Sequence, residues 1–289
     1  MHNQNATNPQ PQPLPIPENL KGRARREGDH LWVRLAPDVE LELVRVPEGP
    51  FWMGTDPKVD SEAFSDEQPV HQVWLDEYWI GRYPVTQAQY QTFINANPQY
   101  RVPFYPHELA LPYNWDQQRR YCPAGKENHP VVWVTWQDAQ AFCQWVGLGL
   151  PGEAQWEKAA RGTDGRRYPW GNEAPVKERC NINQWYGGTT PVGQFSPLGD
   201  SPYGCADMAG NVYEWCQDWY AESYYGESPN RNPPGPQSGD WNYRVVRGGA
   251  WYNVGRLARC ATRFGDAPGG FNVAAGFRVA VQILLPSER

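Results

Sequence analysis

The sequence predicts a fold in which short strands and three helices are joined by long, turn-rich loops. Apolar and polar residues alternate over 41–54 and again over 71–80, as they do in strands that bury one face. Turn residues at 47–49 predict a hairpin within the first of these segments. Among the 289 residues, 28 Gly and 29 Pro are spread without a period. This distribution indicates many turns and excludes a collagen-like or coiled-coil chain.

Each predicted helix has its own start or stop signals. Thr86 can cap the first helix, and Gln89, three residues later, completes a capping box. Thr135 can cap the second helix, and Gly147 can end it. The third helix is predicted over 153–161, with a glycine directly after it. All three are short, so helices form the smaller part of the predicted fold.

The second half of the chain predicts loops more than regular elements. Over a hundred residues after Gly162 are mostly Gly, Pro, Asn and Trp, which is an unusual loop length for a compact fold. Buried Trp and Tyr rings that bond the loop backbone would hold such loops, and so would a bound cation. The segments 243–251 and 274–285 are predicted as core strands that close the sheet.

Composition sets the domain plan and the expected partners. The segment 1–36, rich in Asn, Gln and Pro, predicts a disordered tail, and 37–289 predicts one folded domain. The start of the chain has no apolar signal region, so a cytoplasmic protein with reduced thiols is expected. The net charge of −6 and the lack of a basic stripe argue against nucleic acid as a partner. No apolar run approaches the roughly 18 residues of a membrane span, so no membrane partner is expected.

Eight sequence blocks, spread over 41–281, occur in the order of one known family. They are FWMGTD at 51, HQVWLDEYWIGRYPVTQAQYQTF at 71, HPVVWVTWQDAQAFCQW at 129, LPGEAQWEKAARG at 150, RRYPWGN at 166, TTPVGQFSPLGDSPYGCADMAGNVYEWCQDW at 189, YRVVRGGAW at 243 and GFRVA at 276. Together they resemble the formylglycine-generating enzyme, or sulfatase-modifying factor, family. The resemblance implies an α+β fold of the C-type-lectin-like kind, with little regular secondary structure and long packed loops.

The same resemblance predicts that the catalytic residues are missing. The active family members need two cysteines just after the RGG strand, which bind Cu(I) as thiolates. Asn253 stands at the first of these positions, and the second falls in a segment that is shorter here. An amide oxygen does not replace a thiolate as a Cu(I) ligand. We therefore expect no copper, predict no catalytic residue and expect no production of formylglycine.

The motif CADMAGNVYEW, from 205, predicts a structural calcium site. Asp207 and Glu214 offer carboxylate oxygens, and calcium takes roughly 6 to 8 oxygen ligands. By resemblance, the calcium ligands of the family map onto Asp207, the carbonyls of Gly210 and Val212, and Glu214. The alternative is that both carboxylates only accept hydrogen bonds from loops. A second site of the family would use Asn181 and the Ile182 carbonyl, but its other ligands fall in a shortened segment.

Two runs near the C-terminus are predicted to bind a ligand. Tyr, Trp, Asn and Gly combine rigid contact area with adaptable hydrogen bonding, and an arginine at the edge adds a candidate hot spot. The segment 243–281 also resembles the variable segment of diversity-generating retroelement proteins, which share the lectin-like fold and bind ligands without catalysis. The predicted binding residues are Trp251, Tyr252, Asn253, Val254, Gly255, Arg256, Phe264, Asp266, Phe271 and Asn272.

Taken together, the sequence favours a calcium-stabilised, non-catalytic, lectin-fold protein that binds an unknown protein or small molecule through 243–281. A retroelement variable protein would be displayed on a phage or cell surface through another component. The alternative hypothesis is an oxidase or accessory factor of the formylglycine-generating enzyme type with a non-standard active site.

Overall fold

The computed structural model describes residues 16–270 and 273–282, which form an α+β fold. The strands of these residues are, in chain order, β1 (Ala24–Glu27), β2 (His30–Ala36), β3 (Val39–Val46), β4 (Gly49–Met53), β5 (His71–Leu75), β6 (Tyr78–Gly81), β7 (Tyr213–Trp219), β8 (Arg244–Arg247), β9 (Phe264–Asp266), β10 (Ala275–Gly276) and β11 (Ala280–Gln282). The α-helices are α1 (Gln87–Ala96), α2 (Trp136–Val146) and α3 (Glu153–Arg161). Short 3-10 helices span Glu18–Leu20, Ser65–Glu67, Glu108–Tyr113, Tyr224–Gly226, Asp240–Asn242 and Gly255–Ala258.

The strands form three sheets. One has five strands in the order β1-β2-β3-β6-β11, and all its pairs are antiparallel. A second has four strands in the order β10-β7-β8-β9, in which only the β10–β7 pair is parallel. The third is the antiparallel pair β4–β5. The predicted C-terminal strands are confirmed in β8, β10 and β11.

The hairpin predicted within 41–54 is wrong. β3 and β4 are both strands, but β3 pairs with β2 and β6, whereas β4 pairs with β5. The turn between them therefore carries the chain from one sheet to another. A turn signal fixes where the chain changes direction, but it does not choose the partner of the next strand.

The predicted boundary between tail and domain at residue 36 is also wrong. β1 and β2 extend the five-stranded sheet, and Leu20, Leu31 and Val33 are buried in its core. Composition hid this segment, because its many charged residues mask the alternation of apolar residues along β2. The folded domain therefore begins before residue 36. Residues 1–15 lie outside the described residues.

All three predicted helices are confirmed with their caps. The Thr86 side chain accepts a hydrogen bond from the Gln89 backbone N–H, and the Gln89 side chain accepts one from the Thr86 backbone N–H. Thr135 and Asp138 form the same reciprocal pair at the start of α2. Gly147 ends α2 in the left-handed conformation, with a φ of 82° that glycine adopts without strain.

The two largest clusters of buried apolar residues in the described part of the chain are separate. α1 and α2 contribute to the core that includes β2, where Tyr90 stacks on Phe142 and Phe277 meets both rings edge to face. α3 contributes to the other core, where Trp156 packs with residues of β4, β5 and β7. In the described residues, no helix is long and apolar enough to cross a membrane.

Buried tryptophans hold the loops as the sequence predicts. The Trp215 indole donates to the Val134 carbonyl at 3.1 Å, and the Trp136 indole donates to the Cys216 carbonyl at 2.8 Å. These bonds join β7 to the start of α2. The rings therefore supply apolar area and also pair backbone groups that have no partner in a sheet.

We predict that Leu31→Ala lowers the free energy of unfolding by about 2 to 5 kcal/mol, because the side chain is buried in the core. Arg34→Ala, at an exposed position of the same strand, should change it by less than about 0.5 kcal/mol. Urea unfolding measures both values. Equal values for the two variants would mean that this segment is a tail after all.

Candidate functional site

Several of the predicted ligand-binding residues gather around Tyr213 at the start of β7. The pairing of β7 with β8, and of β8 with β9, brings Phe264 to Tyr213, with ring centroids 5.4 Å apart. The Trp251 and Tyr252 rings meet edge to face, with centroids 5.3 Å apart. We call this set, Tyr213 with Trp251, Tyr252, Asn253, Phe264 and Asp266, the Tyr213 face.

The pKa of the Tyr213 hydroxyl is shifted by burial and by three neighbouring residues. Burial is the largest influence and raises the pKa of Tyr213 well above its usual value, and the nearby Tyr252 and Asp266 raise it further. The Asn253 side chain, which hydrogen-bonds the Tyr213 hydroxyl, lowers this pKa only in part. The phenol therefore stays neutral at physiological pH and acts in hydrogen bonding, not as a base.

Asn253, which the family resemblance predicts to replace a copper-binding cysteine, holds a turn together. Its side-chain Oδ1 accepts a hydrogen bond from the Ala250 N–H at 2.7 Å, and its backbone N–H donates to the Ala250 carbonyl at 2.9 Å. Its own carbonyl accepts from the Asn183 N–H at 2.8 Å. The residue is only 9% exposed. Asn253 therefore supports the Tyr213 face more than it contacts solvent.

The structure does not show the other predicted binding residues in contact with Tyr213. Arg256 donates from Nε to the Glu62 carbonyl at 3.0 Å and lies over the Phe64 ring at 3.9 Å. The Gly255 carbonyl accepts a hydrogen bond from the Tyr168 hydroxyl. Val254, which lies between Asn253 and Gly255 in the sequence, is exposed. Phe271 and Asn272 lie outside the described residues.

Sequence reasoning missed Tyr213 itself. The residue stands inside CADMAGNVYEW, a motif whose carboxylate and carbonyl oxygens predict a metal site. Its position next to the C-terminal strands depends on the four-stranded sheet, which the sequence does not reveal.

The predicted calcium ligand Glu214 is fully engaged with protein groups. Arg278 donates from Nε to Oε2 at 2.5 Å and from Nη2 to Oε1 at 2.6 Å. The Trp156 indole donates to Oε2 at 2.7 Å. All three residues are completely buried. Its charge is balanced and both oxygens accept hydrogen bonds, which matches the alternative stated for Glu214.

Asp207 also takes a hydrogen bond from a loop. Its Oδ2 accepts from the Gly193 N–H at 2.7 Å. Burial raises the pKa of Asp207 to about 6, against the lowering effect of the Gly193 bond and of Arg278. In the part of the chain that the structure describes, no three His, Cys, Asp or Glu side chains form a group that could hold a metal ion. Calcium binding stays a prediction. The hydrogen bonds of Asp207 and Glu214 agree with the alternative that both carboxylates only accept hydrogen bonds from protein groups.

Asn181, which lies beside the predicted calcium motif, has a buried side-chain oxygen that lacks a partner in the described residues. Its Nδ2 donates to the Gly188 carbonyl at 2.8 Å, which fixes the amide orientation, while Oδ1 has no hydrogen-bond partner in the described residues. Asn181 also pairs with Gly210 through the Asn211 N–H, which donates to the Asn181 carbonyl at 2.8 Å. A buried unpaired amide oxygen fits a hard cation such as calcium.

The cysteines are all free thiols. Burial raises the pKa of Cys205 to about 11, and that of Cys180 and Cys260 to about 12. It also raises the pKa of the thiols of Cys122, Cys143 and Cys216. These thiols are therefore protonated at neutral pH in the protein environment that the structure describes.

The fold is of the C-type-lectin-like kind, and its Tyr213 face consists of aromatic and polar side chains. The sequence matches the sulfatase-modifying factor enzyme 1-like domain over residues 35–283. The chain belongs to this family, as its eight sequence blocks predict.

Two curated relatives contain a similar sequence. The formylglycine-generating enzyme of Streptomyces coelicolor is 34% identical over 282 residues, covering 82% of this chain and 88% of that protein. The serine/threonine-protein kinase pkn1 of Chlamydia pneumoniae is 38% identical over 248 residues, covering 84% of this chain. The chain spans only 38% of the length of that kinase, so the match concerns one part of it.

One solved structure connects the chain to variable proteins. Treponema denticola variable protein 1 has a TM-score of 0.67 and 26% sequence identity, and the match covers 88% of this chain and 99% of that protein. This similarity confirms the predicted fold class and agrees with the predicted resemblance to variable proteins.

We predict that Glu214→Gln lowers the free energy of unfolding by about 3 to 5 kcal/mol, because it leaves the buried Arg278 guanidinium without its counter-charge. Glu40→Gln breaks the surface pair of Glu40 with Arg25 and should cost less than about 1 kcal/mol. Chemical denaturation at neutral pH distinguishes the two. A small cost for Glu214→Gln would show that Arg278 does not depend on this carboxylate.

Proposed function

We propose that the protein is a non-catalytic, lectin-fold ligand-binding protein that uses the Tyr213 face. The observation that carries the proposal is the convergence of residues from two separate runs, 251–253 and 264–266, on one tyrosine. Trp251, Tyr252 and Phe264 are each partly buried, so each ring is held by the core and still presents an edge or face to solvent. Such rings supply contact area at low entropic cost.

Trp251 contributes a hydrogen-bond donor that a ligand could satisfy. Its indole Nε1 is buried and has no hydrogen-bond partner in the described residues. A buried donor without an acceptor costs about 1 to 3 kcal/mol, and a ligand oxygen would remove that cost. The Tyr213 face therefore combines aromatic area with at least one unsatisfied donor.

The absence of catalysis is supported by two features of the chain. Asn253 occupies the place of a copper ligand and is committed to the turn at Ala250. Burial raises the pKa of Cys260, the cysteine that follows in the sequence, to about 12. A cysteine in this state reacts poorly as a thiolate. The alternative function, an oxidase or accessory factor with a non-standard active site, lacks a comparable group of reactive residues at the Tyr213 face.

The similarity to Treponema denticola variable protein 1 supports a finer proposal. We propose that 243–281 is diversified, and that the ligand is a protein or a small molecule and not nucleic acid or membrane. The core strand β8 would stay constant, because Val245, Val246 and Arg247 are buried. Tyr252, Phe264 and Asp266 would vary, because they surround Tyr213 and are only partly buried, and Phe264 and Asp266 lie on the edge strand β9.

Sequencing the DNA beside the gene tests this proposal. We expect a reverse-transcriptase gene and a near-copy of the segment encoding 243–281, with differences mainly at adenines. The differing codons should include those of Tyr252, Phe264 and Asp266 and should spare those of 245–247. The segment encoding 24–46 is the internal control and should have no copy. If the DNA contains no such copy, the diversified function is wrong.

An activity assay tests the alternative. The purified protein, loaded with Cu(I), is incubated with a sulfatase-derived peptide that contains the target cysteine, and mass spectrometry follows the peptide. We expect the cysteine to remain unchanged. Conversion of the cysteine to formylglycine would replace the ligand-binding proposal with the oxidase.

We also propose that calcium stabilises the loops around Asn181, whose unpaired Oδ1 would be one of its oxygen ligands. Calcium chloride should raise the melting temperature, and magnesium chloride should raise it less, because magnesium accepts irregular sites poorly. A hundredfold excess of calcium over its Kd corresponds to about 2.7 kcal/mol. The Asn181→Asp variant, which adds a charge to that ligand, should show the larger calcium effect. No calcium effect on the unmodified protein would refute the prediction.

A further inference from the structure

A cavity lies between the 54–61 loop and the C-terminal end of α3. The cavity has a volume of about 730 Å³, which falls within the range of small-molecule sites. Trp52, Asp56, Asp60, Arg161, Arg167 and Asn172 are among its lining residues. None of them belongs to the Tyr213 face, so the argument for this cavity does not rest on the proposed function.

Trp52 forms an aromatic wall of the cavity. In β4, Phe51 and Met53 are buried, so the alternation of the strand places Trp52 on the outer face of the β4–β5 pair. The Trp52 side chain is 48% exposed. Val59 and Val70, which are also exposed, line the same cavity. The cavity therefore offers a flat aromatic surface with apolar edges to a ligand.

Arg161 is a buried residue of the lining, and one of its hydrogen-bond donors, Nε, has no partner in the described residues. It is only 4% exposed, and its Nη1 donates to the Gly54 carbonyl at 2.7 Å and to Glu157 at 2.8 Å. Its Nη2 donates to the Gly165 carbonyl at 2.7 Å. Its Nε is buried and has no hydrogen-bond partner within the described residues. A ligand oxygen or a water molecule would supply the acceptor that this donor lacks.

Charges around the cavity balance each other. Its lining contains three arginines, Arg161, Arg167 and Arg259, and three aspartates, Asp56, Asp60 and Asp164. Asp60 Oδ2 lies 3.2 Å from Arg167 Nε and 3.5 Å from Arg259 Nη1. Asp164 is paired with Arg166 at 2.7 Å. A ligand with a strong charge of either sign would meet as much repulsion as attraction, so the cavity favours a neutral ligand.

The lining presents both hydrogen-bond donors and hydrogen-bond acceptors, and this mixture favours certain polar groups in the ligand. Guanidinium groups only donate hydrogen bonds, and carboxylates only accept them. A hydroxyl group does both, so a ring of hydroxyls can meet both kinds of side chain without a charge. A sugar ring also has an apolar C–H face that can lie on an indole. We propose that this cavity binds a neutral saccharide, with one pyranose ring on Trp52 and its hydroxyls toward Asp56 and Arg161.

Saturation-transfer NMR on the full chain, with maltose, cellobiose and N,N′-diacetylchitobiose as separate probes, tests the proposal. These probes cover axial and equatorial linkages and an acetamido group. We expect at least one of them to bind and its ring protons to receive saturation. Trp52→Ala should weaken that Kd about tenfold or more, because it removes the stacking surface. Trp52→Phe should retain most of the affinity.

Trp74→Ala is the matched control. Trp74 lies on β5, also alternates to the exposed face, and is not among the residues that line the cavity. Its replacement should leave the Kd unchanged, and circular dichroism checks that both alanine variants are folded. The proposal is overturned if none of the three sugars binds, if Trp52→Ala binds as well as the unmodified chain, or if sodium sulfate displaces the bound sugar.

Discussion

Glu153 and Glu157 of α3 lie at the centre of a buried network of arginine–carboxylate pairs. Arg247 donates to Glu153 at 3.0 Å and to Glu157 at 2.6 Å, and Arg263 donates to Glu153 at 2.7 Å. Arg161 bonds Glu157 from the next turn of the helix. Such pairs add little net stability compared with an apolar core, but losing one partner is costly because the other charge stays buried. The network therefore fixes the relative positions of the segments that carry it.

Both the Tyr213 face and the cavity beside Trp52 are connected to this network. Arg247 and Arg263 belong to the C-terminal segment that also supplies residues of the Tyr213 face, so their pairs with α3 hold that segment in place. Arg161, at the end of the same helix, lies in the lining of the cavity beside Trp52. Arg259 extends the frame by pairing with the buried Glu67 at 2.5 Å. A rigid frame of this kind allows neighbouring residues to vary without loss of the fold, which suits a binding protein.

Local signals in the sequence predicted the helices well, because caps and apolar stripes act over only three or four residues. Thr86, Thr135 and Gly147 all take the roles that their types indicate. The same reasoning failed for β2 and for the hairpin, where the outcome depends on a partner strand far along the chain. It also failed to connect Glu214 with Arg278, since 64 residues separate the two and neither has a local pattern that indicates the other.

The family and the fold class could be read from the sequence, because each follows from residue types at fixed positions in motifs. The tertiary structure alone decided which side chains meet. It placed Tyr213 beneath the C-terminal residues, directed Arg256 to Glu62 and closed the cavity beside Trp52. The physical reason is that burial, charge pairing and concavity are properties of distant segments packed together, and no local pattern encodes them.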